Sequence, residues 1–289
     1  MKAPLQDYIG QAVVTDGAWG TELQAHGLAS GACPDAWNLD NPPAVAAVAA
    51  GYVQAGSEII LTNTFGSNVF SLASHGLGDR AGEIAEAGAA ISRRTAGDAA
   101  AVFGSIGPTG KMLMTGETPP EAVHDAFAAQ AGALARGGAD AIVCETFADL
   151  DEVLLAVRAV RAATDLPVIA CLTFGAGPDA MRTVMGQSPR DLASAAAQAG
   201  AAGVGSNCGA GPEHFVKVAA ALRAATDLPV WIKPNAGLPA LRDGQTIFPM
   251  GPEEFAGFAP ALVQAGANFV GGCCGTTPAH IRAVRAAIK

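Results

Sequence analysis

Three of the six cysteines sit among glycines at the ends of apolar runs: Cys208 in Ser206-Asn207-Cys208-Gly209, and Cys273 and Cys274 in Gly271-Gly272-Cys273-Cys274-Gly275. The pattern reads as a three-thiolate metal site. Neighbouring strand residues face opposite sides, so Cys273 and Cys274 reach one ion only where the backbone leaves strand geometry, which the surrounding glycines permit. Thiolates select zinc among the common intracellular metals. Three protein ligands leave the fourth tetrahedral position open for substrate or water, which marks a catalytic site.

The other readings of these residues are weaker. Cys33, Cys144 and Cys171 read as small buried hydrophobes. A redox disulfide between Cys273 and Cys274 would leave Cys208 and its matching glycines unexplained. No C-x-x-C pair occurs, which disfavours a structural zinc finger.

Zinc on three thiolates carries a net charge of about −1 and activates water poorly; its better use is to take up an incoming thiol and strip its proton near neutral pH, from a free pKa of ~8.5. Alkyl transfer to a thiol is the expected reaction. Two carboxylates at strand ends suit a substrate that also bears an amine. Strand alternation turns Glu145 inward with Val143 and leaves Cys144 facing the helices. Asp16 opens the glycine-rich turn Asp16-Gly17-Ala18-Trp19-Gly20-Thr21, whose N–H groups suit a carboxylate.

Eight apolar runs are read as the strands that position these residues: Ala12 to Gly17, Glu58 to Phe65, Ala100 to Pro108, Ala141 to Phe147, Pro167 to Phe174, Gly203 to Gly209, Pro229 to Ala236 and Phe269 to Gly275. Ala-rich segments of helical period lie between them, such as Pro120 to Arg136, Leu150 to Ala163 and Pro212 to Ala225. Such alternation signals a parallel sheet, and eight units signal an α/β fold closed into a (β/α)8 TIM barrel, a single domain over residues 1–289.

Internal repeats agree. Arg161 to Val168 recurs letter for letter as Arg223 to Val230, and the quartets beginning at Gln54, Arg136, Gln198 and Gln264 each carry a third-position glycine suited to a left-handed helix end. The quartets precede strands two, four, six and eight, whose far ends carry Thr62 to Phe65, Cys144 to Phe147, Asn207 to Gly209 and Cys273 to Gly275. Alternate barrel strands feed one layer, so these residues converge at the C-terminal mouth. Leu238 to Gly251 is read as a long loop there.

Half of the 289 residues are hydrophobic and 15% are charged, ample for a large core and incompatible with disorder. A net charge of −9 and five lysines argue against nucleic acid or an anionic membrane as partner. Met1 to Tyr8 has no apolar leader, and no run approaches the ~20 residues of a membrane span. A reducing cytoplasm is expected, where thiolates stay available to metal.

Asp16 to Thr21, Thr62 to Phe65, Cys144 to Phe147, Asn207 to Gly209, Lys233-Pro234-Asn235-Ala236-Gly237 and Gly271 to Pro278, in this order and across nearly the whole chain, resemble the homocysteine S-methyltransferase family. The resemblance implies zinc (Zn2+, one per chain) on Cys208, Cys273 and Cys274, homocysteine thiolate as the exchangeable ligand and methionine as product. It also implies Asp16 and Glu145 near the amino group, and the backbone around Gly17 and Thr64 near the carboxylate.

Ile106 to Gly110 and Arg182 to Gly186 are most similar to the homocysteine module of cobalamin-dependent methionine synthase. Tyrosines that face betaine in other relatives match Gly66 and Thr146 here, and Trp37 remains as an aromatic candidate. The methyl group is therefore expected from methylcobalamin on a separate corrinoid protein, because no histidine here has the surroundings of a corrinoid ligand. S-methylmethionine or betaine is the alternative donor. All five histidines read as structural or surface residues, with His280 at a helix start behind Thr277-Pro278. Two other classes stay open: a barrel enzyme of phosphate-bearing substrates, which would leave the cysteines idle, and a non-catalytic zinc- or thiol-binding subunit of a methyltransferase complex.

Overall fold

The computed structural model describes residue 5 and residues 10–242 and 245–289. Most of the Met1 to Tyr8 segment and part of the Leu238 to Gly251 segment lie outside the described residues. Eight parallel strands form the sheet: β1 (Val13–Val14), β2 (Ile59–Leu61), β3 (Ala101–Ile106), β4 (Ala141–Phe147), β5 (Val168–Leu172), β6 (Gly203–Asn207), β7 (Val230–Lys233) and, after a hairpin, β10 (Phe269–Val270). Their order, β1-β10-β7-β6-β5-β4-β3-β2, is that of a barrel opened on paper between β1 and β2, with helices between the strands.

The seam between β1 and β2 is closed partly by side chains. The Glu58 amide donates to the Val14 carbonyl, but the Val14 amide donates to the Glu58 carboxylate, and the Leu61 amide donates to the Asp16 carboxylate at 2.7 Å. Side chains here replace backbone acceptors. β1 is accordingly shorter than the apolar run that contains it, and β10 is short too, ending where the chain leaves strand geometry at Gly271.

Inside the barrel, Trp231 stacks on Phe103 at 5.9 Å and packs against Phe269 at 5.4 Å, with Val143, Ile169 and Cys171 in the same cluster. Cys144 belongs instead to the layer between sheet and helices, as strand alternation requires. The four third-position glycines, Gly56, Gly138, Gly200 and Gly266, all have positive φ and end or follow the helices before the even strands.

The expected loop from Leu238 to Gly251 is corrected in part. Ala240–Arg242 (β8) and Gln245–Ile247 (β9) pair antiparallel, so that two short stretches satisfy each other's backbone groups. His280 lies at the helix start behind Thr277-Pro278, as expected; it also forms a capping box with Thr277, and its Nε2 lies 3.0 Å from the Met250 carbonyl, tying that helix start to the same segment.

Candidate active site and metal centre

The three sulfurs reach one point by different routes. Cys208 follows β6 with φ +62, held by its amide donating to the Lys233 carbonyl at 3.1 Å. Beyond β10 the chain leaves strand geometry. Gly271 presses against β1 so closely that a Cβ there would lie 2.0 Å from Thr15 Oγ1, and the Cys273 amide donates to the Pro234 carbonyl at 2.7 Å. Ligand atoms of Cys208, Cys273 and Cys274 all lie within 4.8 Å of one another, the sole such group of metal-ligating residues among the described residues.

The donor set fits a soft cation. Hydrogen bonds from Cys273 and Cys274 hold the Cys208 thiol down to about 3, with a further one from Asn235. The same contacts push Cys273 and Cys274 up. Protein groups alone therefore favour one thiolate of the three, and a cation is what allows all three. Asn235 Oδ1 is buried without a protein partner, an oxygen free to face such an ion. The other three cysteines lie apart, with Cys144 and Cys171 buried and their thiols pushed up by desolvation.

A cavity of about 510 Å³ opens above the sulfurs, lined by Gly17, Thr64, Glu145, Lys233 and the three cysteines among others. Glu145 is 7% exposed; Ser105 Oγ donates to its Oε1 at 2.5 Å, and Asn207 Nδ2 lies 3.4 Å from Oε2. Burial raises its pKa, and the nearby Lys233 ammonium only partly offsets this. Thr64 sits beside it on the wall, its hydroxyl donating to the Ser105 carbonyl. Gly17 must be glycine, since a Cβ would lie 2.7 Å from the Tyr52 hydroxyl and 2.8 Å from Thr276 Oγ1.

Asp16 is placed differently. It is fully buried, stands behind the wall rather than on it, and accepts from Lys233 Nζ, Trp19 Nε1 and the Leu61 amide. Lys233 itself lines the cavity. Burial would lower its pKa, but Asp16 and Glu145 outweigh burial and raise it.

Several members of the site carried no role in the sequence reading. Lys233, Asn207 and Asn235 stood inside recognisable motifs without an assigned partner, and the signal that singles out Lys233 is its place at the end of the apolar run Val230 to Ile232, where a lysine is rare. Ser105, in the middle of an apolar run, had no signal at all. Trp37 packs on the helix layer and does not line the cavity, whereas Trp19 does.

Comparison with known proteins agrees with this geometry. A family profile described as homocysteine S-methyltransferase matches residues 13–288. Methionine synthase of Mycobacterium tuberculosis is 35% identical over 98% of this chain, and that of Mycobacterium leprae 33% identical over 98%. The chain spans about a quarter of the length of either relative, 25% in each case. The metallated form of the homocysteine methyltransferase MmuM from Escherichia coli superposes with a TM-score of 0.80 at 25% identity, covering 96% of both chains. On the extent of the profile match and the identity of these relatives, the chain belongs to the homocysteine S-methyltransferase family.

Proposed function

We propose that this chain transfers a methyl group to the thiol of homocysteine, giving methionine, with one zinc ion held by Cys208, Cys273 and Cys274. The observation that carries the reading is the convergence of three sulfurs and the Glu145 carboxylate on one cavity. Zinc, when bound, supplies the positive charge that keeps the sulfurs ionised and eases loss of the substrate thiol proton. Glu145 takes the substrate ammonium, which restores the charged form that burial disfavours. The backbone around Gly17 and Thr64 takes the carboxylate end, and Asp16 adds negative potential from behind the wall. Together they orient the thiol toward the mouth and keep water off it.

The methyl group comes, in this reading, from a methyl-corrinoid carried on a separate protein that docks on the mouth. Support lies in the rim: Met112, Met114, Val184, Met185, Leu238 and Leu241 are exposed large hydrophobics on the segments that follow β3, β5 and β7. Exposed apolar surface concentrated on one face marks a contact site. Betaine fits poorly. The positions matched to its tyrosines, Gly66 and Thr146, line the cavity and put no aromatic ring on its wall there.

A small donor that needs no partner protein, such as S-methylmethionine, is the second reading, and the homocysteine methyltransferase MmuM matching over 96% of both chains shows a methyltransferase of this same extent. Zinc analysis and methionine formation test these assignments together, with methylcobalamin, a methyl-corrinoid protein, S-methylmethionine and betaine as donors. Cys208→Ala, Cys273→Ala and Cys274→Ala are each expected to lose the metal. Full zinc retention in any one of them would count against the centre, and no methionine from any donor would favour a non-catalytic zinc- or thiol-binding subunit.

A further inference from the structure

We propose that Asn207 is a positioning residue that fixes the spacing between the Glu145 carboxylate and the three-sulfur centre, and thereby selects homocysteine over the shorter thiol amino acid cysteine. The inference rests on the homocysteine reading above. Asn207 closes β6 and is fully buried. Its Oδ1 accepts the Thr146 amide at 2.7 Å, and its Nδ2 lies 2.6 Å from Thr146 Oγ1, 3.4 Å from Glu145 Oε2 and 3.8 Å from Cys273 Sγ. One amide nitrogen thus touches both the group that would hold the ammonium and a sulfur of the centre that would hold the thiol.

The backbone around this amide is constrained on both sides. Thr146 has φ +64 and Cys208 has φ +62, conformations that side chains other than glycine adopt seldom and that surroundings must enforce. At Thr146 the β4–β5 register shifts between Cys144 and Phe147, and Asn207 Oδ1 supplies an acceptor for the amide at that break. A side-chain amide supplies an acceptor for the Thr146 N–H and two donor hydrogens, one on Thr146 Oγ1 and one shared between the Glu145 carboxylate and Cys273 Sγ. An aspartate would set a second negative charge against Glu145 and Cys273.

Three carbons separate nitrogen from sulfur in homocysteine, and two separate them in cysteine. With both ends of the site fixed, one missing methylene misplaces the sulfur by about 1 Å, a displacement that costs on the order of 100-fold in rate. A site whose ends drifted would lose that discrimination.

The test uses zinc-loaded wild type, Asn207→Ala and the double variant Asn207→Ala/Thr146→Gly, with calorimetric binding of homocysteine and cysteine, zinc content, melting temperature, KM and kcat. Glycine at 146 relieves the backbone demand without restoring the bridge. The expected result is that both variants retain zinc, raise KM for homocysteine about 10-fold or more with a smaller change in kcat, and narrow the homocysteine-to-cysteine affinity ratio by about 10-fold. The glycine is expected to recover melting temperature and not the ratio. An unchanged ratio in Asn207→Ala, or one restored by Thr146→Gly, overturns the proposal and leaves Asn207 as a backbone support. A wild-type protein that binds neither thiol overturns the homocysteine reading itself, and this inference with it.

Discussion

Lys233 Nζ donates to Asp16 Oδ1 at 2.5 Å, with the two side chains only 2% and 0% exposed, so that an ion pair joins the end of β7 to the end of β1 at the base of the cavity. Removing one member leaves the other charge buried and unpaired, which costs about 3–5 kcal/mol. Asp16→Asn and Lys233→Met are each expected to lose stability on that scale in urea unfolding, and the double variant to recover part of the loss. Asp16→Asn also weakens homocysteine binding by removing negative potential behind the ammonium. Single variants as stable as wild type would show that the pair holds nothing together.

Glu145 is the carboxylate that faces the cavity directly. Glu145→Gln keeps the hydrogen-bonding shape and removes the charge, so it is expected to retain zinc and to lose about 1.5–3 kcal/mol of homocysteine affinity. Because burial opposes its ionised form, the variant is expected to melt no lower than wild type. Equal homocysteine affinities by calorimetry would remove Glu145 from the ammonium site.

Asp35, on the cavity rim, accepts from Ser67 Oγ at 2.6 Å and from the Gly66 amide at 3.0 Å, and burial pushes its pKa up to about 6 from 3.8. The folded chain therefore holds this proton where the unfolded chain has already lost it. Stability from this group is full below pH ~4 and falls as pH rises through about 6, a loss on the order of 2–3 kcal/mol. Asp35→Asn preserves an oxygen for both donors, so it is expected to be more stable than wild type at pH 7 and to flatten the stability curve between pH 4 and 6. Parallel curves for the two proteins over that range would contradict this origin of the slope.

The rim hydrophobics give a separate prediction. Met112→Ser/Leu241→Ser is expected to slow methyl transfer from a corrinoid protein about 10-fold or more while leaving melting temperature and free-methylcobalamin turnover unchanged, because both residues are exposed and lie outside the cavity lining. Equal rates with the protein donor would place docking elsewhere.

Much of this architecture is legible in the chain itself. Eight apolar runs between Ala-rich helices give the barrel from local pattern, and the glycine-flanked cysteines at the ends of even strands point to the three-sulfur cluster once that barrel is assumed. The hairpin of β8 and β9 was not read, because its two strands are only three residues each and carry no alternating pattern. Nor was the shortness of β1. It follows from Asp16 and Glu58 taking backbone donors across the seam, a relation between residues more than forty positions apart. The same holds for Ser105 on Glu145 and for Asn207 on Cys273, where pairing exists only once the strands are adjacent.

The seam between β1 and β2 has a consequence for how the barrel tolerates inherited change. Where strands are joined by backbone carbonyls, any side chain can be replaced and the bonds between strands persist, since every residue carries the same carbonyl. At positions 16 and 58 the acceptors are side chains. A single codon change there removes a strand-to-strand bond outright, and the same holds where Asp140 accepts the Val102 amide and Asn268 the Val230 amide, so the barrel's tolerance of change is lowest at these few acceptor side chains.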